Sequence, residues 1–127
     1  MEDMLEVNDI NTLCKIISDF NGIDVIGINV SNICNWTDFF IIATFVSFKQ
    51  MEALYHDKIV KFFKERKINL NFQGKGLVYD WTVVSGGNLV IHLMSEKSRE
   101  YYELEKYGPK ELLFILNYCL IKKLKIS

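Results

Sequence analysis

The sequence has one proline, Pro109, and seven glycines, too few of either for a collagenous or low-complexity chain. It also lacks unbalanced charge. Its 15 basic and 16 acidic side chains leave a formal net charge of −1. That excludes a broad electrostatic grip on nucleic acid, which usually shows as a domain pI above about 9. Cysteine is scarce: Cys14, Cys34 and Cys119 form no CxxC pair, and His56 and His92 stand far apart. Neither a disulfide scaffold nor a structural metal is expected from those spacings. Long apolar runs are missing too. The most apolar stretch, Leu112 to Ile121, falls well short of the roughly 18–20 residues that span a bilayer. The acidic start Met1-Glu2-Asp3-Met4 lacks the basic-then-apolar order of a signal peptide, so a cytoplasmic location is the expectation.

What is present is apolar and aromatic. Half of the 127 residues are hydrophobic and 13% are aromatic, which excludes a disordered chain. The length suits one domain with its own core. Ile10, Leu13, Cys14, Ile17 and Phe20 form an amphipathic helical stripe over about 8–20, and Asn21-Gly22 supplies a left-handed stop. Ile23 to Val30 reads as a β-branched strand, and Ser31 to Asn35 as a polar turn. Phe39 to Thr44 is apolar on both faces, the mark of a central strand covered on both sides.

Ser47 is placed to cap a helix carrying Met51, Leu54, Tyr55, Ile59, Phe62 and Phe63 to about Arg66, with Lys58, Lys61, Lys64 and Lys67 on its other face. Ile68 to Phe72 reads as a short strand. Tyr79 to Val84 and Leu89 to Met94 read as a hairpin joined by Ser85-Gly86-Gly87-Asn88, residues that tolerate positive φ. Ser95 can cap a helix running through Tyr101, Tyr102 and Leu104 to the breaker Gly108-Pro109, and a last helix covers about 110–125. The pattern αββαβββαα predicts a single α/β (α+β) domain, a mixed sheet flanked by helices.

Catalytic signatures are thin. There is no GxSxG elbow, and Gly74-Lys75-Gly76 lacks the spacing of a phosphate-wrapping loop. Asp19, Asp24, Asp38, Asp57 and Asp80 form no DxD pair for metal ions. His92 alternates with Val90 and Met94, which reads as a sheet-face histidine with a hydrogen-bond partner rather than a base. No catalytic residue, metal or cofactor is expected. Interaction chemistry is better represented: Trp81 beside Asp80, and Arg99, Tyr101, Tyr102, Glu103 and Glu105 on one short helix, are residue types enriched in interface hot spots. The competing reading has Trp81 or Tyr102 filling the core.

Three blocks together resemble a known family. Trp36-Thr37-Asp38-Phe39-Phe40-Ile41-Ile42-Ala43-Thr44 is similar to its signature (S/I)TDYFVIATG. Asp80-Trp81-Thr82-Val83-Val84, followed by Gly87-Asn88-Leu89-Val90-Ile91-His92-Leu93-Met94, is similar to DWxxxDYGDVVVHVF. Ser98 to Lys106 is similar to REYYDLERLW. These are motifs of the ribosomal silencing factor family, RsfS, also called Iojap or DUF143, and the similarity spans about residues 8 to 107.

The resemblance implies a nucleotidyltransferase-like topology without the catalytic carboxylates, and no enzymatic activity. It implies binding to the large ribosomal subunit through the ribosomal protein numbered fourteen (uL-fourteen). Occupying that intersubunit bridge would block subunit association and repress translation under nutrient limitation. The implied contact residues are Asp80, Trp81, Ser85, Asn88, His92, Arg99, Tyr102, Glu103 and Glu105, with Thr37 and Asp38 as family-motif positions. An acidic, aromatic patch suits a basic ribosomal protein. Ser85 and Asn88 stand where the family has aspartates, and Gly86 where it has an aromatic residue, which removes negative charge from the contact site. Direct sequence-specific nucleic-acid binding is not expected. The rival classes are a nucleotidyltransferase-like enzyme and a membrane-surface adaptor.

Residues 1–109 are thus expected to form the family-like domain and 110–127 an extension. Leu112, Leu113, Phe114, Ile115, Leu116, Tyr118, Leu120 and Ile121 surround a helix rather than striping it, so the segment should be buried. Packing on the domain or at a homodimer contact is favoured over a membrane surface.

Overall fold

A computed structural model of the chain describes residues 4–72, 76–77 and 80–102, the side chains of Tyr101 and Tyr102 excepted. Helix α1 (Val7–Asp19) starts where the Asp9 carboxylate accepts the Glu6 backbone N–H at 2.9 Å. Its Ile10, Leu13 and Ile17 stripe is buried, as the spacing predicts. It stops where Asn21 adopts φ +75° and the Gly22 N–H returns to the Ile17 carbonyl at 2.9 Å.

Strand β1 (Ile23–Asn29) runs antiparallel to β2 (Phe39–Phe45), with an irregular register between Ile23 and Ile26 where Asp24 sits at φ +49°. Ser47 caps α2 (Phe48–Leu54), its hydroxyl accepting the Gln50 N–H at 3.2 Å. The single helix expected from Ser47 to Arg66 is wound differently at its middle. A π turn (Tyr55–Ile59), closed by the Val60 N–H on the Tyr55 carbonyl, separates α2 from α3 (Val60–Glu65).

Strand β3 (Leu70–Phe72) pairs antiparallel with β4 (Trp81–Gly86), β4 antiparallel with β5 (Leu89–Ser95), and β5 parallel with β2. The order is β1-β2-β5-β4-β3, so the sheet is mixed and β2 and β5 are interior strands, every residue of both buried. The hairpin is tighter than a four-residue loop. Ser85 and Gly86 extend β4, Gly86 pairs with Leu89, and the turn is Gly87-Asn88 with φ +57° at Gly87, the pattern of a type II′ connection. A Cβ at Gly86 would lie 2.8 Å from the Phe63 ring and 2.9 Å from Leu70, so this strand end passes α3 at glycine distance. Ser95 caps α4 (Glu96–Tyr102) by accepting the Ser98 N–H at 3.1 Å. The expected continuation to Pro109 and the last helix fall on residues outside those described.

Strand alternation splits the core in two. Phe39, Ile41, Ala43, Phe45, Leu89, Ile91 and Leu93 face α1, α2 and α3, meeting Leu13, Ile17, Met51, Leu54, Phe62 and Phe63. On the opposite face Val30, Phe40, Ile42, Trp81, Val83, Val90 and Met94 form a second cluster. The α+β class and the flanked mixed sheet agree with the sequence pattern. Among the described residues, no helix is long and apolar enough to cross a membrane.

Candidate functional site

The second face carries a chain of aromatic rings. Alternation puts Phe40, His92 and Trp81 on the same side of β2, β5 and β4. Their rings meet edge-on: Phe40 to His92 at 5.4 Å and Trp81 to His92 at 5.9 Å between centroids. The Trp81 indole N–H donates to His92 Nδ1 at 3.0 Å. Accepting at Nδ1 fixes the tautomer with the proton on Nε2. His92 is 1% exposed and Trp81 4%, so the partner expected for a sheet-face histidine is the tryptophan two positions along the neighbouring strand. At its other end the chain of rings reaches the surface: Trp36 lies 6.1 Å from Phe40 and is 50% exposed.

Asn88, in the hairpin turn, is an internal hub. Its Oδ1 accepts the Leu5 N–H at 2.7 Å, while its Nδ2 donates to the Leu5 carbonyl at 3.0 Å and to Asp38 Oδ2 at 2.8 Å. The Asn88 carbonyl in turn accepts the N–H groups of Asp38 and Phe39, each at 3.1 Å. One side chain therefore fastens the chain start, the head of β2 and the hairpin. Thr37, the other family-motif position, is buried beside Asp38.

At the opposite end of the sheet Asp80 is exposed and tied to the start of α4. Its carbonyl accepts the Ser95 N–H at 2.9 Å, and its carboxylate accepts the Ser95 hydroxyl at 3.2 Å. Arg99, buried on α4, donates to Thr44 Oγ1 at 2.7 Å and to the Asp24 carbonyl at 2.9 Å, so it holds α4 against the ends of β1 and β2. Trp81, Ser85, His92 and Arg99 make further interactions besides these.

The residues read from the sequence as one contact patch are thus spread along the sheet. Asn88 and Asp38 sit at the hairpin end, and Asp80, Trp81 and Arg99 at the other. The offset from Leu89 to Met94 along β5 makes that roughly 17 Å. Trp81, Asn88, His92 and Arg99 point inward; Asp80 is exposed and Ser85 half-buried. Tyr102 closes α4, and its side chain, with Glu103 and Glu105, lies outside the described residues. α4 also presents exposed Glu96 and Glu100. Two features escaped the sequence reading: the exposed Trp36, whose signal was a tryptophan where the motif has Ser or Ile, and the Leu5–Asn88 tie, which left no local signal.

Among the described residues, the two groups with a displaced ionisation lie elsewhere. Burial pushes the Cys14 thiol and the Tyr55 phenol up, both on the helix-covered side. Among the described residues, no three His, Cys, Asp or Glu side chains come together in a way that could hold a metal ion.

Comparison with known proteins fits this architecture. The family model "Ribosomal silencing factor during starvation", RsfS, matches residues 4–107. A mouse protein, "Mitochondrial assembly of ribosomal large subunit protein 1", is 35% identical over 102 residues, 77% of this chain and 44% of that one. The ribosomal silencing factor RsfS of Haemophilus influenzae is 31% identical over 94 residues, 74% of this chain and 91% of its own. The crystal structure of a Chromobacterium violaceum protein has a TM-score of 0.65 at 28% identity, over 80% of this chain and 85% of that one. The chain spans less than half of the mouse relative but most of the bacterial ones. The family match takes in the Thr37–Asp38 block, the Trp81–His92 pair and α4 in one stretch, and on it this chain belongs to the ribosomal silencing factor family, RsfS.

Proposed function

We propose that this protein binds the large ribosomal subunit through the ribosomal protein numbered fourteen and keeps the small subunit from joining, repressing translation when nutrients are scarce. The observation that carries this reading is the family match over residues 4–107, supported by relatives whose names refer to the large subunit and to silencing. The mechanism is occupancy: no bond is made or broken, and affinity sets the fraction of subunits held apart. The cytoplasm is the compartment proposed for it.

The burial pattern divides the proposed contact residues by role. Trp81, Asn88, His92 and Arg99 hold the sheet ends and α4 in shape. Asp80, Ser85 and the exposed Glu96 and Glu100 of α4 are the groups available for the contact itself, and Glu103 and Glu105 are proposed with them from the family resemblance. Carboxylates on one helix face steer encounter with a basic ribosomal protein.

Cosedimentation with isolated large subunits, combined with light scattering on addition of small subunits, tests the proposal. Binding with slowed joining is expected. Protein that stays in the supernatant while subunits join at their normal rate refutes it. Replacing Glu96→Lys and Glu100→Lys together should slow association several-fold while leaving the fold intact, because both side chains are exposed.

A further inference from the structure

Between α3 and the end strand β3 lies a cavity that the proposed function does not use. It holds about 500 Å³ and is open to solvent. Tyr55, Val60, Phe63, Ile68 and Leu70 give it an apolar lining. The π turn builds part of this wall, because its closing bond, from the Val60 N–H to the Tyr55 carbonyl, joins two of the lining residues. Wide turns of this kind are frequent at functional sites. The Tyr55 ring continues the aromatic surface to Phe72, which is exposed and 5.2 Å away between centroids. The charged residues lining the cavity are Lys64 and Lys67, both exposed, with no carboxylate beside them in the lining.

The cavity also adjoins an open edge. Among the described residues, no strand lies beyond β3 in the sheet. An end strand presents backbone N–H and C=O groups along its far side, ready to pair with another chain.

We propose that this edge takes up an extended segment of a partner protein, which adds as a strand beside β3, seats one large apolar side chain in the cavity and sets carboxylates on Lys64 and Lys67. Backbone pairing would supply affinity and the pocket would supply specificity. Three residues of β3 allow only a few backbone bonds, so the apolar anchor and the two lysines must carry much of the binding. Side chains on one face of a strand recur every two residues. β3 itself shows that period: Leu70 lines the cavity and Phe72 meets Tyr55. The segment recognised therefore has an apolar residue with an acidic residue two places before it and two places after it. A small ligand fits the observations less well, since in so open a cleft much of its surface would stay in water. The cavity is on the helix-covered side of the sheet, whereas Arg99 fastens α4 at the ends of β1 and β2. The inference does not rest on the large-subunit reading.

The test titrates the isotope-enriched full-length chain with the capped peptide TETFTET and follows amide chemical shifts. Shifts should concentrate at Tyr55, Val60, Phe63 and residues 67–72. Shifts centred elsewhere, or none, overturn the proposal. Lys64→Glu with Lys67→Glu changes two exposed positions and should weaken binding by about tenfold. The control peptides TKTFTKT and TETATET should bind as weakly to the parent chain. Unchanged affinity in the variant, or in either control, overturns the proposal. Strand addition is tested by methylating alternate backbone nitrogens of TETFTET in two complementary sets. One set should abolish binding and the other should not, because only one faces β3; equal effects overturn strand pairing. Phenylpropionate, which has the ring and the carboxylate but no strand, should bind far more weakly than the peptide. Equal binding would overturn the proposal in favour of a small-ligand site. Broadening of the β3 amides with rising protein concentration, in the absence of peptide, would overturn it in favour of a second copy.

Discussion

Removing the Asn88 side chain should cost far more than a turn substitution ordinarily does. Its amide makes three hydrogen bonds, two to the backbone of Leu5 and one to the Asp38 carboxylate, and the residue is 6% exposed. A net hydrogen bond contributes about 1 kcal/mol, and a buried group left without a partner loses about 1–3 kcal/mol. Asn88→Ala strands the Leu5 N–H and carbonyl together, so a loss of about 3 kcal/mol is expected, a large share of the roughly 5–15 kcal/mol that stabilises a domain. Urea denaturation should show the midpoint falling by about 1 M or more with an unchanged slope.

Asn88→Asp, which restores the residue type of the family motif, sharpens the test. It keeps the acceptor for Leu5 but sets a carboxylate against Asp38 and the Leu5 carbonyl. Folding then raises the pKa of the introduced carboxyl, so the native state holds that proton more tightly than the unfolded chain does. The deficit relative to the parent chain is therefore full near pH 7 and narrows as pH falls through that raised value toward about 4. An Asn88→Ala loss under about 0.5 kcal/mol, or an Asn88→Asp deficit that does not change between pH 7 and 4, would refute the hub.

Three further outcomes follow from the same geometry. Trp81→Phe keeps a ring in the second cluster but removes the donor to His92 Nδ1, and should lower stability by about 1–3 kcal/mol in guanidinium titrations. Gly86→Val drives a branched side chain into Phe63 and Leu70 and should cost about 1–3 kcal/mol, measured in the same way; a neutral result would mean that α3 can shift away. Cys14, its thiol pushed up by burial, should alkylate with a pH midpoint above that of an ordinary cysteine peptide, as followed by peptide mass mapping.

Much of the fold was legible because local chemistry and tertiary context agree. Phe39 to Phe45 has no polar alternation, and it became an interior strand. Ser47 and Ser95 cap the helices they precede, and Asn21 supplies the left-handed stop. The π turn was not legible, since one wider turn barely disturbs an apolar stripe. The candidate site was harder to read. Residue type marked Trp81 and Arg99 as contact-forming and the family resemblance added His92, but burial depends on what the rest of the chain lays over a strand, and a period of two cannot report that. Asn88 was read as a turn residue with a lost charge. Its role depends on Leu5, 83 residues away, beyond the range of any spacing argument.

The parallel pairing of β2 with β5 also has a consequence for how the protein is made. Phe39 pairs with Leu89, so the centre of the sheet cannot form until most of the chain has been synthesised. Until then the seven residues Phe39–Phe45 emerge as an apolar strand without proline or charge, the kind of segment that joins other chains edge to edge. Their antiparallel neighbour β1, already synthesised, can shield one edge; the other must wait. Such a non-local centre slows folding, and the interval while β2 awaits β5 is when the nascent chain most needs either rapid elongation or a chaperone.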